Sequence, residues 1–219
     1  PGNTTAVRRL AGAYQQQSPQ RALDFLNTLP AAQQRALGET LSRLRSNALS
    51  DEGDRLGQQG KWTQAVEKYR QAQPGAVDDV WLNYRYAGAL RESGQPGAAE
   101  ALMVAMARRQ PQDPAQVYAY GLWLSGSGRD DEALKQLNTL PQAQWTPNIQ
   151  ALSDRLQSQR LLDNIDTRMA QHQPAAARRL LQALPPAVIA SSVSNGRRVA
   201  NAWLSVGETG RAAALYAGL

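Results

Sequence analysis

The chain has 219 residues, with 24 Lys and Arg against 18 Asp and Glu, a formal net charge of +6, one His, one Phe and no Cys. The missing thiols exclude disulfides, thiol catalysis and cysteine-based zinc sites, and fit an oxidising compartment such as a periplasm. Ala, Gln, Leu and Arg dominate and favour helix, strand formers are scarce, and no apolar run approaches the roughly 18 residues of a membrane-spanning helix.

The sequence begins at Pro1-Gly2-Asn3 and stops at Tyr216-Ala217-Gly218-Leu219, so it reads as a piece of something longer, with no signal peptide visible. A first helical unit is expected over 4–30, from Arg8–Tyr14 and Gln20–Leu29 with a short Ser18-Pro19 turn. An extra helical segment follows near 31–46. Units are then expected near 47–78, 79–112 and 113–141, a second extra segment near 142–157, a unit near 158–185, and a truncated one near 194–219.

The central units rest on a period. Gly60, Gly94 and Gly128 lie 34 apart, as do Ala65, Ala99 and Ala133; Leu56, Leu90 and Leu124; Tyr69, Met103 and Leu137; and Gly53, Ala87 and Gly121. Thirty-four is the tetratricopeptide period. Small residues on both helices of a hairpin let the backbones approach, larger ones fill the space left, and the loop glycine ends the first helix in a left-handed conformation. Asp79 and Asp113 are plausible caps, the second followed by Pro114 at the first helical position. Pro111 stands where a helix should stop. In the later unit His172-Gln173-Pro174 takes the place of the loop glycine.

Two spacings are longer than the rest: Ala22 to Ala65 is 43 and Ala133 to Ala177 is 44. Both extra stretches follow Leu-Asn-Thr-Leu-Pro, at 26–30 and 137–141, and both are read as lengthened first helices, about 33–59 and 148–171. At ~1.5 Å per residue each would reach roughly 35–40 Å. The expected fold is all-α: a tetratricopeptide-repeat, right-handed superhelical solenoid with two irregular junctions that bend or hinge it.

The charged motifs have plain readings. Asp130-Asp131-Glu132 suits a helix start, where negative charge meets the helix dipole. Asp51-Glu52-Asp54 reads as a solvated helix face. His172, alone and in a turn, makes no metal site. The arginines are scattered, often as neighbours such as Arg8-Arg9, Arg108-Arg109, Arg178-Arg179 and Arg197-Arg198. Adjacent residues point to different sides of a helix, so they build no stripe for nucleic acid. No phosphate loop, nucleophile elbow or zinc signature is present, and no carboxylate pair suits glycan cleavage. No catalytic residue, metal or cofactor is expected.

The informative surface is the free face of the first helices, which line the concave side of such a stack. It carries Asn47, Ser50, Asp54 and Gly57 in the second unit, Trp81, Tyr84, Gly88 and Arg91 in the third, and Ala115, Tyr118, Leu122 and Ser125 in the fourth. Exposed Trp and Tyr anchor a peptide or a sugar ring well. Packing against neighbouring helices is the competing reading. Candidate binding residues are Trp81, Tyr84, Arg91, Tyr118, Asn47 and Asp54. Trp62 and Trp203 fit packing positions, and Trp145 sits in a junction.

Several stretches are more specific than the period. Gln116-Val117-Tyr118-Ala119-Tyr120-Gly121-Leu122 with Leu124-Ser125-Gly126, Gln59-Gly60-Lys61-Trp62-Thr63-Gln64-Ala65, Ala143-Gln144-Trp145 and Asn148-Ile149-Gln150 resemble the periplasmic tetratricopeptide-repeat region of the outer-membrane export component of bacterial cellulose synthase. The resemblance covers roughly residues 1–185. It implies a periplasmic, non-catalytic scaffold within a protein whose C-terminal outer-membrane barrel exports cellulose. The implied role is to link that barrel to the inner-membrane synthase complex, with members of that complex as partners and peptidoglycan or cellulose as further ones. It implies no nucleic acid and no membrane insertion of this segment. Direct binding of the glucan or of peptidoglycan in the groove, or generic peptide binding in another pathway, are the alternatives.

Overall fold

The structure, a computed structural model, describes residues 2–219, with side chains from residue 4 onward. Among the described residues there are fourteen α-helices and no strand. None of these helices is long and apolar enough to cross a membrane. The chain is an all-α repeat solenoid in two compact units, one up to Trp123 and one from Leu124.

The first unit contains α1 (Gly2–Gln17), α2 (Pro19–Thr28), α3 (Ala31–Leu37), α4 (Glu39–Gln58), α5 (Trp62–Ala72), α6 (Val80–Glu92), α7 (Pro96–Arg109) and the start of α8 (Pro114–Gly126). The pairs α1/α2, α4/α5 and α6/α7 pack as hairpins, and α2 on α4 and α5 on α6 join one hairpin to the next. Small residues set the closeness. Ala65, Ala87 and Ala99 are fully buried. At Gly53 a Cβ would stand 2.9 Å from the Tyr69 ring, so Tyr69 packs directly on the α4 backbone. Ala99 lies in one cluster with Ala87, Leu90, Met103 and Trp123. Overpacking that cluster with Ala99→Leu is expected to cost about 1–3 kcal/mol, read as a lower midpoint in urea unfolding. An unchanged midpoint would contradict this packing.

The second unit contains the end of α8, then α9 (Asp130–Asn138), α10 (Pro147–Ala170), α11 (Pro174–Gln182), α12 (Pro186–Ala190), α13 (Val193–Ser205) and α14 (Thr209–Ala217). α10/α11 and α13/α14 are its hairpins, with α11 packed on α13. Its core gathers Leu162, Ile165, Ala177, Leu181, Val199 and Trp203. Ala133 is fully buried, and Gly121 just before the unit is buried too.

The hairpin turns repeat one device. Gly60, Gly94, Gly128 and Gly207 have φ between 74° and 87°. In each turn the amide after the glycine reaches back to the helix it ends: Lys61 to Leu56, Gln95 to Leu90, Arg129 to Leu124 and Glu208 to Trp203, at 2.8–2.9 Å. This is the glycine-capped helix end in which the looping amide satisfies a stranded carbonyl. His172 adopts φ 57° and Gln173 donates to the Arg168 carbonyl at 2.9 Å, so the imidazole residue holds a glycine's backbone. A side chain there costs on the order of 1 kcal/mol. His172→Gly should therefore raise stability by about 0.5–1 kcal/mol, measurable as a higher Tm; a lower Tm would refute it.

The irregular junctions differ from one another. α10 runs unbroken for 24 residues, about 36 Å. The helix expected over 33–59 is instead divided at Gly38, whose φ of 51° and ψ of −123° no helix accommodates, leaving α3 and a 20-residue α4. Leu-Asn-Thr-Leu-Pro ends α2 and α9, because a residue before proline is driven out of the helical region. Leu29 accordingly sits at φ −63°, ψ 139°. A third version, Leu181-Gln182-Ala183-Leu184-Pro185, ends α11 and precedes the short α12.

The Asp51-Glu52-Asp54 stretch is a solvated face only in part: Asp51 is exposed and Asp54 half-buried, but Glu52 is buried. Glu52 is only 4% exposed and pairs with Arg55, whose Nε lies 2.9 Å from Glu52 Oε2. The reason is that α4 packs on both α2 and α5, which turns part of its polar side inward.

Candidate interaction face

In the first unit α6 begins at Asp79, whose carboxylate accepts from the Leu82 amide at 3.0 Å. α8 has the same device, Asp113 accepting from the Ala115 amide at 3.0 Å. These caps fix where Trp81 emerges from the first turn of α6 and Tyr118 from the second turn of α8.

Trp81 is the centre of an aromatic cluster. Its ring meets Tyr84 edge-on at 5.5 Å and 74°, and Tyr118 of α8 at 6.0 Å and 71°. Tyr84 meets Trp123 at 6.5 Å and 84°. These are the edge-to-face geometries that ring quadrupoles prefer. The Arg91 guanidinium lies 4.4 Å over the Trp123 ring, and the Trp123 indole N–H donates to Glu100 at 2.9 Å. Trp123 is buried, Tyr84 and Tyr118 are half-buried, and Trp81 remains 38% exposed. Packing and exposure thus divide the set: the inner rings hold the outer one in place.

Beside the cluster a groove of about 530 Å³ lies between α4 and α6, with Asp54, Trp62, Tyr69, Tyr84, Arg85 and Arg91 in its walls. Arg85 bridges the helices: its Nε is 3.0 Å from Asp54 Oδ1 and its Nη2 is 3.0 Å from the Ser50 hydroxyl. Tyr69 donates its hydroxyl to the same Asp54 oxygen. Burial first, and then the bond to Asp54, push the Tyr69 phenol well above its ordinary value.

Of the residues expected to bind, Trp81, Tyr84 and Tyr118 come together, Arg91 joins them through Trp123, and Asp54 lies across the groove from Tyr84. Asn47 is exposed on α4 but does not line the groove. Sequence reasoning missed Arg85 and Trp123. Arg85 is one helical turn from Trp81 and Gly88 and could have been found by spacing. Trp123 stands 34 residues after the buried Ala89, so its column pointed to the interior.

The acidic stretch at the start of α9 does as expected for a helix entry. Glu132 pairs with Arg129, which holds its carboxyl below the ordinary range, and Asp131 pairs with Arg160 of α10 at 2.6 Å. Among the described residues no group of His, Asp and Glu could hold a metal ion. Trp62 packs on Gly57, Trp203 is buried in the second unit's core, and the Trp145 indole donates to the Leu140 carbonyl at 2.9 Å.

No protein-family model matches the chain. It is 43% identical over 173 residues to cellulose synthase operon protein C of Salmonella typhimurium strain LT2, and 41% identical over the same length to that of Escherichia coli K12. These matches take in 79% of the chain and 15% of each relative. The cellulose synthase operon protein C of Komagataeibacter xylinus is 33% identical over 93 residues, 42% of the chain and 7% of that protein. The chain therefore spans about 15% of the length of the first relatives it matches. Along most of its length, the chain is a region related to cellulose synthase operon protein C.

Proposed function

We propose that the chain is a non-catalytic, periplasmic interaction scaffold of the bacterial cellulose synthesis and export machinery. In this reading it belongs to the link between an outer-membrane export barrel and the periplasmic and inner-membrane components. The observation that carries it is Trp81, a large ring held out from a rigid cluster on a helical stack. A preorganised aromatic loses little entropy on binding, and such side chains dominate interface energetics. The kinship with operon protein C supplies the setting.

The test is a photo-crosslinker at position 81 in the full-length protein, with Trp81→Ala as its partner experiment. Crosslinks should fall on protein members of the synthase complex, and Trp81→Ala should weaken that association about 30-fold, as a central aromatic does. Absence of crosslinks to the complex, with cellulose secretion unaffected by Trp81→Ala, would defeat the reading.

A second reading is favoured by the groove itself. A ring beside an Asp54–Arg85 pair offers stacking and hydrogen bonds together, which suits the nascent glucan. Titration with cello-oligosaccharides, followed by Trp fluorescence, separates the two. A response abolished by Trp81→Ala supports the glucan; no response leaves the protein partner.

A further inference from the structure

A second cleft lies in the second unit, in a place the regular repeats do not have. α6 and α8 have 13 residues each, whereas α10 has 24. The added length, with the short α12 set against it, encloses about 640 Å³ between α10, α12 and the first turn of α13. Its floor is aliphatic, formed by Leu161, Pro185 and Val188.

The inner acceptors of the cleft are occupied. Asn195, 6% exposed, donates to Ser191 at 2.8 Å and accepts from Gln159 at 3.2 Å. Ser191 in turn donates to the Val188 carbonyl at 2.6 Å. The Gln159 carbonyl takes Arg198 at 2.8 Å, and Arg198 is held by Asp163 and Asp166. The acceptors left over belong to Gln157 and Asp154, both on the exposed rim, and Asp154 already accepts from Gln150 at 2.9 Å.

The donors are free. Ser158 is only 8% exposed and lines the cleft, yet its hydroxyl has no hydrogen-bond partner among the described residues. A helical hydroxyl can bond the carbonyl one turn back, as Thr167 does to Asp163 at 2.9 Å, but Ser158 does not. Across the cleft the Ser192 hydroxyl accepts from the Asn195 amide at 3.0 Å as the cap of α13, which leaves its proton to donate. The Arg155 guanidinium lines the same cleft and has no acidic partner among the described residues. The 13-residue α13 starts at this wall, so the positive end of its dipole adds to these three donors.

Such a lining calls for a ligand rich in acceptors. It contains no aromatic ring, so a sugar has no face to stack on. Asp154 beside Arg155 disfavours a polyanion and leaves room for one compact anion. The donors stand on two sides, Ser158 and Arg155 on α10 and Ser192 at α13. A phosphate monoester has three terminal oxygens spread in space and meets both sides at once, whereas a carboxylate offers two oxygens in one plane. We propose that this cleft binds a phosphate monoester, its oxygens on Ser158, Ser192 and Arg155 and its alkyl part on Leu161 and Val188. The site is separate from the aromatic face of the first unit and does not depend on the scaffold reading.

The test titrates the chain with butyl phosphate at constant ionic strength and follows the amide resonances of Ser158, Val193 and Ser194 by NMR. They should shift saturably, and inorganic phosphate, which cannot use the floor, should bind more weakly. Ser158→Ala should weaken binding about 5- to 10-fold, the loss of one hydrogen bond, and Arg155→Gln about 10-fold or more, the loss of a charged one. Asp154→Asn, which removes a like charge, should tighten it about 2- to 5-fold. Trp81→Ala should leave it unchanged. Dihexanoyl phosphatidic acid below its micelle concentration gives the source: binding of it as well assigns a lipid headgroup, and its exclusion assigns a small soluble ester. No saturable shift with butyl phosphate would overturn the site, as would equal affinity for butyrate, or undiminished binding by both Ser158→Ala and Arg155→Gln.

Discussion

Tyr69→Ala is expected to lower the stability of the chain by about 3–5 kcal/mol, the range for removing a large buried ring. Tyr69 is 4% exposed, lies directly on Gly53, and stacks on Tyr86 at 6.2 Å. Gly53 has no side chain to fill the space on the α4 side. The phenol adds a second, separable effect. Burial and the bond to Asp54 raise its pKa, so the folded state favours the neutral form. That contribution is complete below the ordinary phenol value of ~10 and is lost as pH rises above it. Tyr69→Phe keeps most of the packing and removes the titration. Above pH ~10 the wild-type chain should therefore lose stability with pH more steeply than Tyr69→Phe. Parallel curves from urea unfolding at pH ~8 to ~11 would show that the buried hydroxyl is not linked to folding.

The hairpins were legible because close helix packing imposes the same small residues at every turn of a repeat. Ala65, Ala99 and Ala133 recur because one geometry recurs, and a column of alanines carries that geometry in plain sight. Gly38 was not legible. A lone glycine is tolerated inside helices at modest cost, so Ala36-Leu37-Gly38-Glu39 reads equally well as continuous or broken. Only the reversal to positive φ decides it. Glu52 failed for another reason: periodicity tells which residues share a face, but not that α4 is covered on two sides.

The aromatic face was legible in part. Trp81 and Tyr84 lie on one side of α6 by spacing alone, and Tyr118 joins them because α8 is the next first helix. The supporting shell was hidden, since Trp123 and Arg85 matter through tertiary contacts that no local spacing encodes. The second unit's cleft was hidden too. Its walls need α12, which a short Pro-Ala-Val-Ile-Ala segment does not announce.

Asn83→Ala should cost about 2–4 kcal/mol and should loosen the interaction face at the same time. Asn83 is fully buried, 34 residues before the equally buried Val117 and so at a position where another repeat uses an apolar side chain. Here the amide ties down the connection from α5 to α6. Its Nδ2 donates to the Asp79 carbonyl at 2.8 Å, with longer bonds to Val77 at 3.2 Å and Ala76 at 3.4 Å. Its Oδ1 accepts from Gln73 at 2.9 Å. The same connection is pinned from α4, where Ser46 donates to the Ala72 carbonyl at 2.5 Å and Gly75 lies so close to the Ser42 carbonyl that a Cβ would stand 2.9 Å from it. Removing the amide takes away four hydrogen bonds to one half-buried loop, a larger penalty than the loss of a single net hydrogen bond. Because that loop sets the first turn of α6, Trp81 should be freed with it. Amide exchange should therefore rise over residues 73–82 while the second unit's protection holds, and Trp emission should shift. A variant that unfolds as cooperatively as wild type at an unchanged midpoint would mean that the loop is held by its contacts with α4 alone.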